Sequence, residues 1–113
     1  MSISASIELP SDSRSDEITV QILKCPKCGF AGLGIYEETR RGRLDSEIVH
    51  HRGYYSNDST LVSIEKMINQ CPKPKKSNCK CRSHLSFCSV DEIGRWNWLE
   101  KIPLKEEFRL LIV

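Results

Sequence analysis

Ile18-Thr19-Val20-Gln21-Ile22-Leu23-Lys24-Cys25-Pro26-Lys27-Cys28-Gly29 decides how this 113-residue chain is read. Ile18, Val20, Ile22 and Lys24 fall on one phase of a period-two repeat and Thr19, Gln21 and Leu23 on the other, which is the pattern of a β-strand. The strand runs directly into two thiols separated by two residues, a spacing that lets both sulfurs close on one metal ion. A tetrahedral ion needs two more donors. Cys71, Cys79 and Cys81, with His84 and Cys88 behind them, lie together far downstream, so one metal is expected to tie the first quarter of the chain to the last third.

Outward from this stretch, Ile3, Ala5, Ile7 and Leu9 alternate with polar residues and predict an edge strand, with the polar run Ser11 to Asp16 as a mobile link. Downstream, Phe30 to Arg40 reads as a second strand. Arg40-Arg41-Gly42-Arg43 reads as a hairpin tip, and Leu44 to His51 as a third strand, which makes the front half a β-meander. Gly53 to Asp58 reads as loop. Ser59 or Asp58 then caps a helix reaching Gln70, because Leu61, Ile64, Ile68 and Cys71 recur at helical spacing and Pro72 stops the run. The same stripe points the Cys71 thiol inward. Ser83 to Val90 alternates as a further strand, and Phe108 to Val113 is apolar enough for a buried closing strand. The fold class that follows is α+β over residues 1–113 as a single domain: a mostly antiparallel sheet with one main helix, braced by one structural zinc site.

Composition bounds the function. A hydrophobic fraction of 39% in a chain of this length supports one small core, so a structural metal contributing on the order of 10 kcal/mol can decide whether the native state is populated. Six cysteines also suit a disulfide framework. Residues 1–10 carry neither a basic n-region nor an apolar h-region, and no apolar run is long enough to span a membrane, so the chain reads as cytoplasmic, reduced and without a membrane partner.

The Cys25-Pro26-Lys27-Cys28-Gly29 turn resembles the knuckle of zinc ribbons and rubredoxin-like sites. The resemblance implies that backbone N–H groups in the turn donate to the sulfurs and that Zn²⁺ is the ion. Cys71-Pro72-Lys73 repeats the opening of that knuckle. Cys71 and Cys81 rank first as the remaining ligands, Cys79 next, and His84 and Cys88 last. An all-thiolate site is closed and a poor Lewis acid, so the metal reads as structural rather than catalytic.

One enzymatic pattern stands against this. His50-His51 at a strand end, Asn57 in the following segment and then a helix are similar to the ββα-metal layout of HNH nucleases. That resemblance implies His51 as base and Asn57 as the orienting residue. The helix, however, supplies only Glu65 and Asn69, and no His follows until His84, so the pattern is incomplete. No phosphate-binding glycine loop and no Ser-His-Asp or Cys-His triad is present. The residues therefore read as a non-enzymatic binding module.

Charge points to the partner. Net charge is only +2, yet Lys73, Lys75, Lys76, Lys80 and Arg82 share the cysteine loop with no acidic residue among them, and Arg41 and Arg43 occupy the hairpin tip. With Tyr54 and Tyr55 nearby, these residues predict a basic face suited to nucleic acid, for which Arg41, Arg43, Tyr55, Lys75 and Lys76 are the contact residues. The alternative is an immunity- or inhibitor-type domain that docks one protein, with one ring of Trp96-Asn97-Trp98 left outside as an anchor.

Overall fold

The computed structural model describes residues 2–12, 17–27, 29–39, 48–102 and 104–109. Five strands, β1 (Ser2–Leu9), β2 (Glu17–Lys24), β3 (Ala31–Thr39), β4 (Ile48–Ser56) and β5 (Leu104–Arg109), form one sheet in the order β1-β2-β3-β4-β5. Every neighbouring pair is antiparallel. The class read from the sequence, α+β with a mostly antiparallel sheet and one principal helix, is the one observed, and β1 is an edge strand as its alternation predicts.

Period two explains the core. Ile7, Leu9, Ile18, Val20, Ile22, Leu33 and Ile35 point to one face of the sheet and are buried there with Leu61, Ile64 and Ile68 of helix α1 (Asp58–Gln70). Each such side chain contributes about 1.5–3 kcal/mol when taken fully out of water. On the opposite face Gln21 and Leu23 are also buried, which marks β2 as a central strand. Their side chains lie over Gly34, where an added Cβ would come within 3.0 Å of both.

Helix α1 begins one residue before the expected caps. Asn57 Oδ1 accepts from Thr60 N–H at 2.8 Å, so Asn57 rather than Asp58 or Ser59 satisfies the first turn. The helix ends at Cys71, whose extended backbone is what the following Pro72 requires. Two anchors fix its direction. Near its middle Glu65 meets Lys24 (3.1 Å) and Ser4 (2.7 Å), while beyond its C-terminus Pro74 C=O accepts from Glu8 N–H at 2.7 Å. The helix thus runs from the Lys24 end of the sheet to the Glu8 end, separated by about 20 Å of strand.

Three expectations are corrected. The segment from Gly53 to Ser56 is strand rather than loop, because Gly53 pairs with Gly34 and Tyr54 with Leu33, which carries the Tyr54 ring into the core. The stretch Ser83 to Val90 is not a strand. Its first part is a short helix α2 (Arg82–Ser86), started by Cys81, whose sulfur accepts from His84 N–H, and held by burial of His84 and Phe87 on one side. Neither tryptophan is left outside: Trp96 and Trp98 are buried and stack on each other at 6.0 Å, and Trp96 Nε1–H donates to Phe87 C=O at 2.6 Å. Trp98 opens a 3₁₀ turn (Trp98–Lys101), so the alternation that would place one ring outward does not apply. A closing strand is present as β5, but it runs over Leu104–Arg109 and shares only Phe108 and Arg109 with the expected Phe108–Val113; residues 110–113, the hairpin tip 40–43 and residues 44–47 lie outside the described residues.

Candidate metal centre

Pro72 and Pro74 break the backbone after α1, and the chain crosses the Glu8 end of the sheet in two turns, Lys76 N–H to Lys73 C=O and Cys79 N–H to Lys76 C=O, each at 3.0 Å. These turns fold Cys79 back onto Cys71. The two sulfurs stand 3.7 Å apart, and His84 Nδ1 of α2 lies 3.4 Å from Cys71 Sγ. The donor atoms of Cys71, Cys79 and His84 all lie within 4.8 Å of one another, a group that can hold a metal ion. His84 is fully buried, and its Nε2 has no hydrogen-bond partner. The orphaned atom is Nε2, whereas the nitrogen beside Cys71 Sγ is Nδ1.

Cys81 adjoins this trio. Its sulfur accepts from His84 N–H at 3.3 Å but stands outside the group whose donor atoms all lie within 4.8 Å of one another. That backbone donor is the main reason its thiol titrates below the usual cysteine range. Cys71 is the reverse case: burial pushes its thiol up to about 11, and the neighbouring thiols add to the rise. A cation at the cluster supplies the charge that a buried Cys71 thiolate needs. Cys88 does not face the group in the same way. Its S–H donates to His84 C=O at 3.3 Å, and burial raises its pKa.

The expected staple between the two ends of the chain is not formed. Cys25 follows Lys24 at one end of β2, where its N–H donates to Phe30 C=O, and the Cys71 cluster sits past the other end. Metal–sulfur bonds of about 2.3 Å do not bridge a gap on the order of a strand's length. Cys28 lies outside the described residues. None of Cys25, Cys71, Cys79, Cys81 and Cys88 is in a disulfide. The sequence ranking placed His84 behind all the cysteines but Cys88, whereas the structure puts its ring among the donors. The signal that finds it is local: Cys71, Cys79, Cys81 and His84 fall within fourteen residues, a far cheaper loop closure than the long reach back to Cys28.

Other singled-out residues are dispersed. Lys73, Lys75, Lys76, Lys80 and Arg82 are all exposed around the cluster. Tyr55 is at the opposite end of the sheet, edge-on to Phe30 at 5.5 Å, so it does not join the lysines as expected. Arg41 and Arg43 lie outside the described residues.

His51 pairs with Tyr36 on the sheet face turned away from α1, and Asn57 is engaged in its cap, so His51, Asn57, Glu65 and Asn69 do not converge as the nuclease layout requires. The His51 ring instead donates from Nε2 to Gln21 Oε1 at 2.8 Å and packs edge-on against Tyr36 at 5.8 Å. Burial holds its pKa below the ordinary 6.5. The unfolded chain therefore binds the extra proton first, and the stability that neutral His51 contributes is complete above 6.5 and lost as pH falls toward the folded value. An NMR titration of the ring is expected to give a midpoint under 6.5, and a midpoint at or above it would contradict this burial.

Among the described residues, no helix is long and apolar enough to cross a membrane. No family model, curated protein or solved structure matches this chain.

Proposed function

We propose that the chain is a non-enzymatic binding module in which one structural zinc ion, held at the Cys71 cluster, presents a lysine-rich loop to a polyanionic partner, nucleic acid being the favoured class. The observation that carries it is the pair of donor separations. Zn–S bonds of about 2.3 Å and Zn–N bonds of about 2.0–2.1 Å at tetrahedral angles give edges of about 3.8 Å between two sulfurs and about 3.6 Å between sulfur and nitrogen. The separations here are 3.7 Å and 3.4 Å. Thiolate and imidazole together select zinc over the hard cations, which prefer oxygen.

Cys71 and Cys79 are the two ends of the loop that carries Lys73, Lys75 and Lys76, and Lys80 and Arg82 flank Cys81. Fixing the loop ends reduces the ordering entropy that five long cationic side chains would otherwise lose on contact. With no aromatic residue in this loop, the recognition chemistry is that of phosphate backbone rather than base stacking.

Fluorescence anisotropy with a labelled duplex DNA and a single-stranded RNA, titrated across ionic strength, tests this. Affinity is expected to fall steeply with salt, and Lys75→Ala with Lys76→Ala is expected to flatten the log–log slope by about 2 for two lost phosphate contacts on duplex DNA. A parallel Arg41→Ala, Arg43→Ala variant probes the segment joining Thr39 to Ile48, a pair at the Glu17 end of β2. No binding of either nucleic acid at low salt would leave the protein-partner alternative in possession.

A further inference from the structure

We propose that the cluster's fourth ligand is the Cys81 thiolate, so that Cys71, Cys79, Cys81 and His84 form a closed Cys₃His site confined to residues 71–84, in which Cys25 takes no part. This rests on the zinc reading above and goes further by fixing the donor set, and with it what the metal braces.

Geometry selects Cys81 among the remaining donors. Its sulfur accepts from His84 N–H at 3.3 Å, beside the trio of Cys71, Cys79 and His84 whose donor atoms lie within 4.8 Å of one another, and it closes the site by moving inward onto that trio. Cys81 precedes His84 by three residues and α2 starts between them, so one helical turn brings both to the same side. The sulfur of Cys81 thus receives a backbone N–H, from His84. Backbone donors aimed at a sulfur are the outer shell that a metal thiolate needs.

The competing thiol is arranged the other way. Cys88 spends its S–H on the His84 carbonyl, an interaction open to a thiol and not to a thiolate. No carboxylate competes either, because residues 71–90 contain neither Asp nor Glu. Three thiolates and a divalent cation leave the site with one negative charge, beside which the exposed Lys80 and Arg82 are favourably placed.

A closed site of this kind leaves no open coordination position for substrate or water, which makes the metal structural. Its span also changes what the metal does to the fold. It pins α2, and through α2 Phe87, to the C-terminal end of α1, rather than clasping one end of the sheet to the other.

Cobalt substitution of the full chain reads the donor set directly. Wild-type protein is expected to bind one Co²⁺ with the visible bands of a tetrahedral ion, displaced by one equivalent of Zn²⁺. Cys81→Ser is expected to lose about one third of the thiolate-to-cobalt charge-transfer intensity, as three thiolates become two, and to bind Zn²⁺ at least about 100-fold more weakly. Cys88→Ser and Cys25→Ser are expected to match wild type. If Cys81→Ser does not fold, Cys81→His keeps a ligand and is expected to shift the bands to those of a two-sulfur, two-nitrogen site. Unchanged charge-transfer intensity in the Cys81 variants, or its loss in Cys25→Ser or Cys88→Ser, would overturn the donor set while leaving zinc binding intact. A wild-type chain that takes up no stoichiometric metal would instead remove the zinc reading itself, and this proposal with it.

Discussion

Replacing Phe87 with alanine is expected to cost about 3–5 kcal/mol, the range for deleting a fully buried aromatic ring. Phe87 is 0% exposed, its ring meets Trp98 at 4.9 Å, and its carbonyl accepts the buried Trp96 N–H at 2.6 Å. The backbone bond survives the substitution, but the cavity removes what holds both indoles in place. Because whole domains are stable by only about 5–15 kcal/mol, such a loss takes about a fifth or more of the total and is expected to appear as a large fall in urea midpoint. Leu85, two residues earlier, is 54% exposed and supplies the internal control. Leu85→Ala is expected to change stability by no more than about 0.5 kcal/mol. Equal effects at the two positions would mean that α2 is not oriented as described.

The contrast between Phe87 and Leu85 also shows where the sequence was readable. Strands β1 and β2 and helix α1 were legible because each is long enough for its period to repeat, and each buries one consistent phase: Ile18, Val20 and Ile22 in the strand, Leu61, Ile64 and Ile68 in the helix. Helix α2 was not. Five residues hold little more than one turn, and Ser83-His84-Leu85-Ser86-Phe87 satisfies an alternating pattern as well as a helical one. What decides it is the Cys81 sulfur accepting from His84 N–H and the burial of His84 with Phe87, both tertiary facts. Gly53 misled for the opposite reason. A glycine is a loop signal in sequence, but here Gly53 pairs with Gly34 in the β3–β4 ladder and the strand continues through it.

The candidate metal site was half legible. The sequence singled out Cys71, Cys79 and Cys81 and correctly sent Cys71 inward, where it is 5% exposed. The error lay in the partner. The turn-forming Cys25-Pro26-Lys27-Cys28 spacing outweighed the nearer histidine, and period alone gave no sign that β2 and α1 would set Cys25 and Cys71 at opposite ends of the sheet. His84 looked like a strand residue following the cluster. Only as a helical residue three positions beyond Cys81 does it turn back toward Cys71.

His84→Ala separates a ligand from a packed side chain. As packing alone, deleting a buried imidazole that already carries an orphaned nitrogen should cost no more than a few kcal/mol and leave metal uptake as in wild type. As a ligand, the substitution forfeits part of a metal-binding free energy on the order of 10 kcal/mol, which is also folding free energy. Hydrogen exchange resolves where the loss falls. In His84→Ala, and in wild type stripped with a chelator, the turn amides of Lys76, Cys79, Leu85, Phe87 and Cys88 are expected to lose protection. The paired amides of β2 and β3 should keep theirs, since that ladder does not depend on the cluster. His84→Cys supplies the deciding arm, because it restores a donor while leaving the imidazole packing lost. Recovery of metal-dependent protection in His84→Cys assigns His84 to the ion, whereas equal loss in the alanine and cysteine variants, with metal uptake as in wild type, returns it to the core.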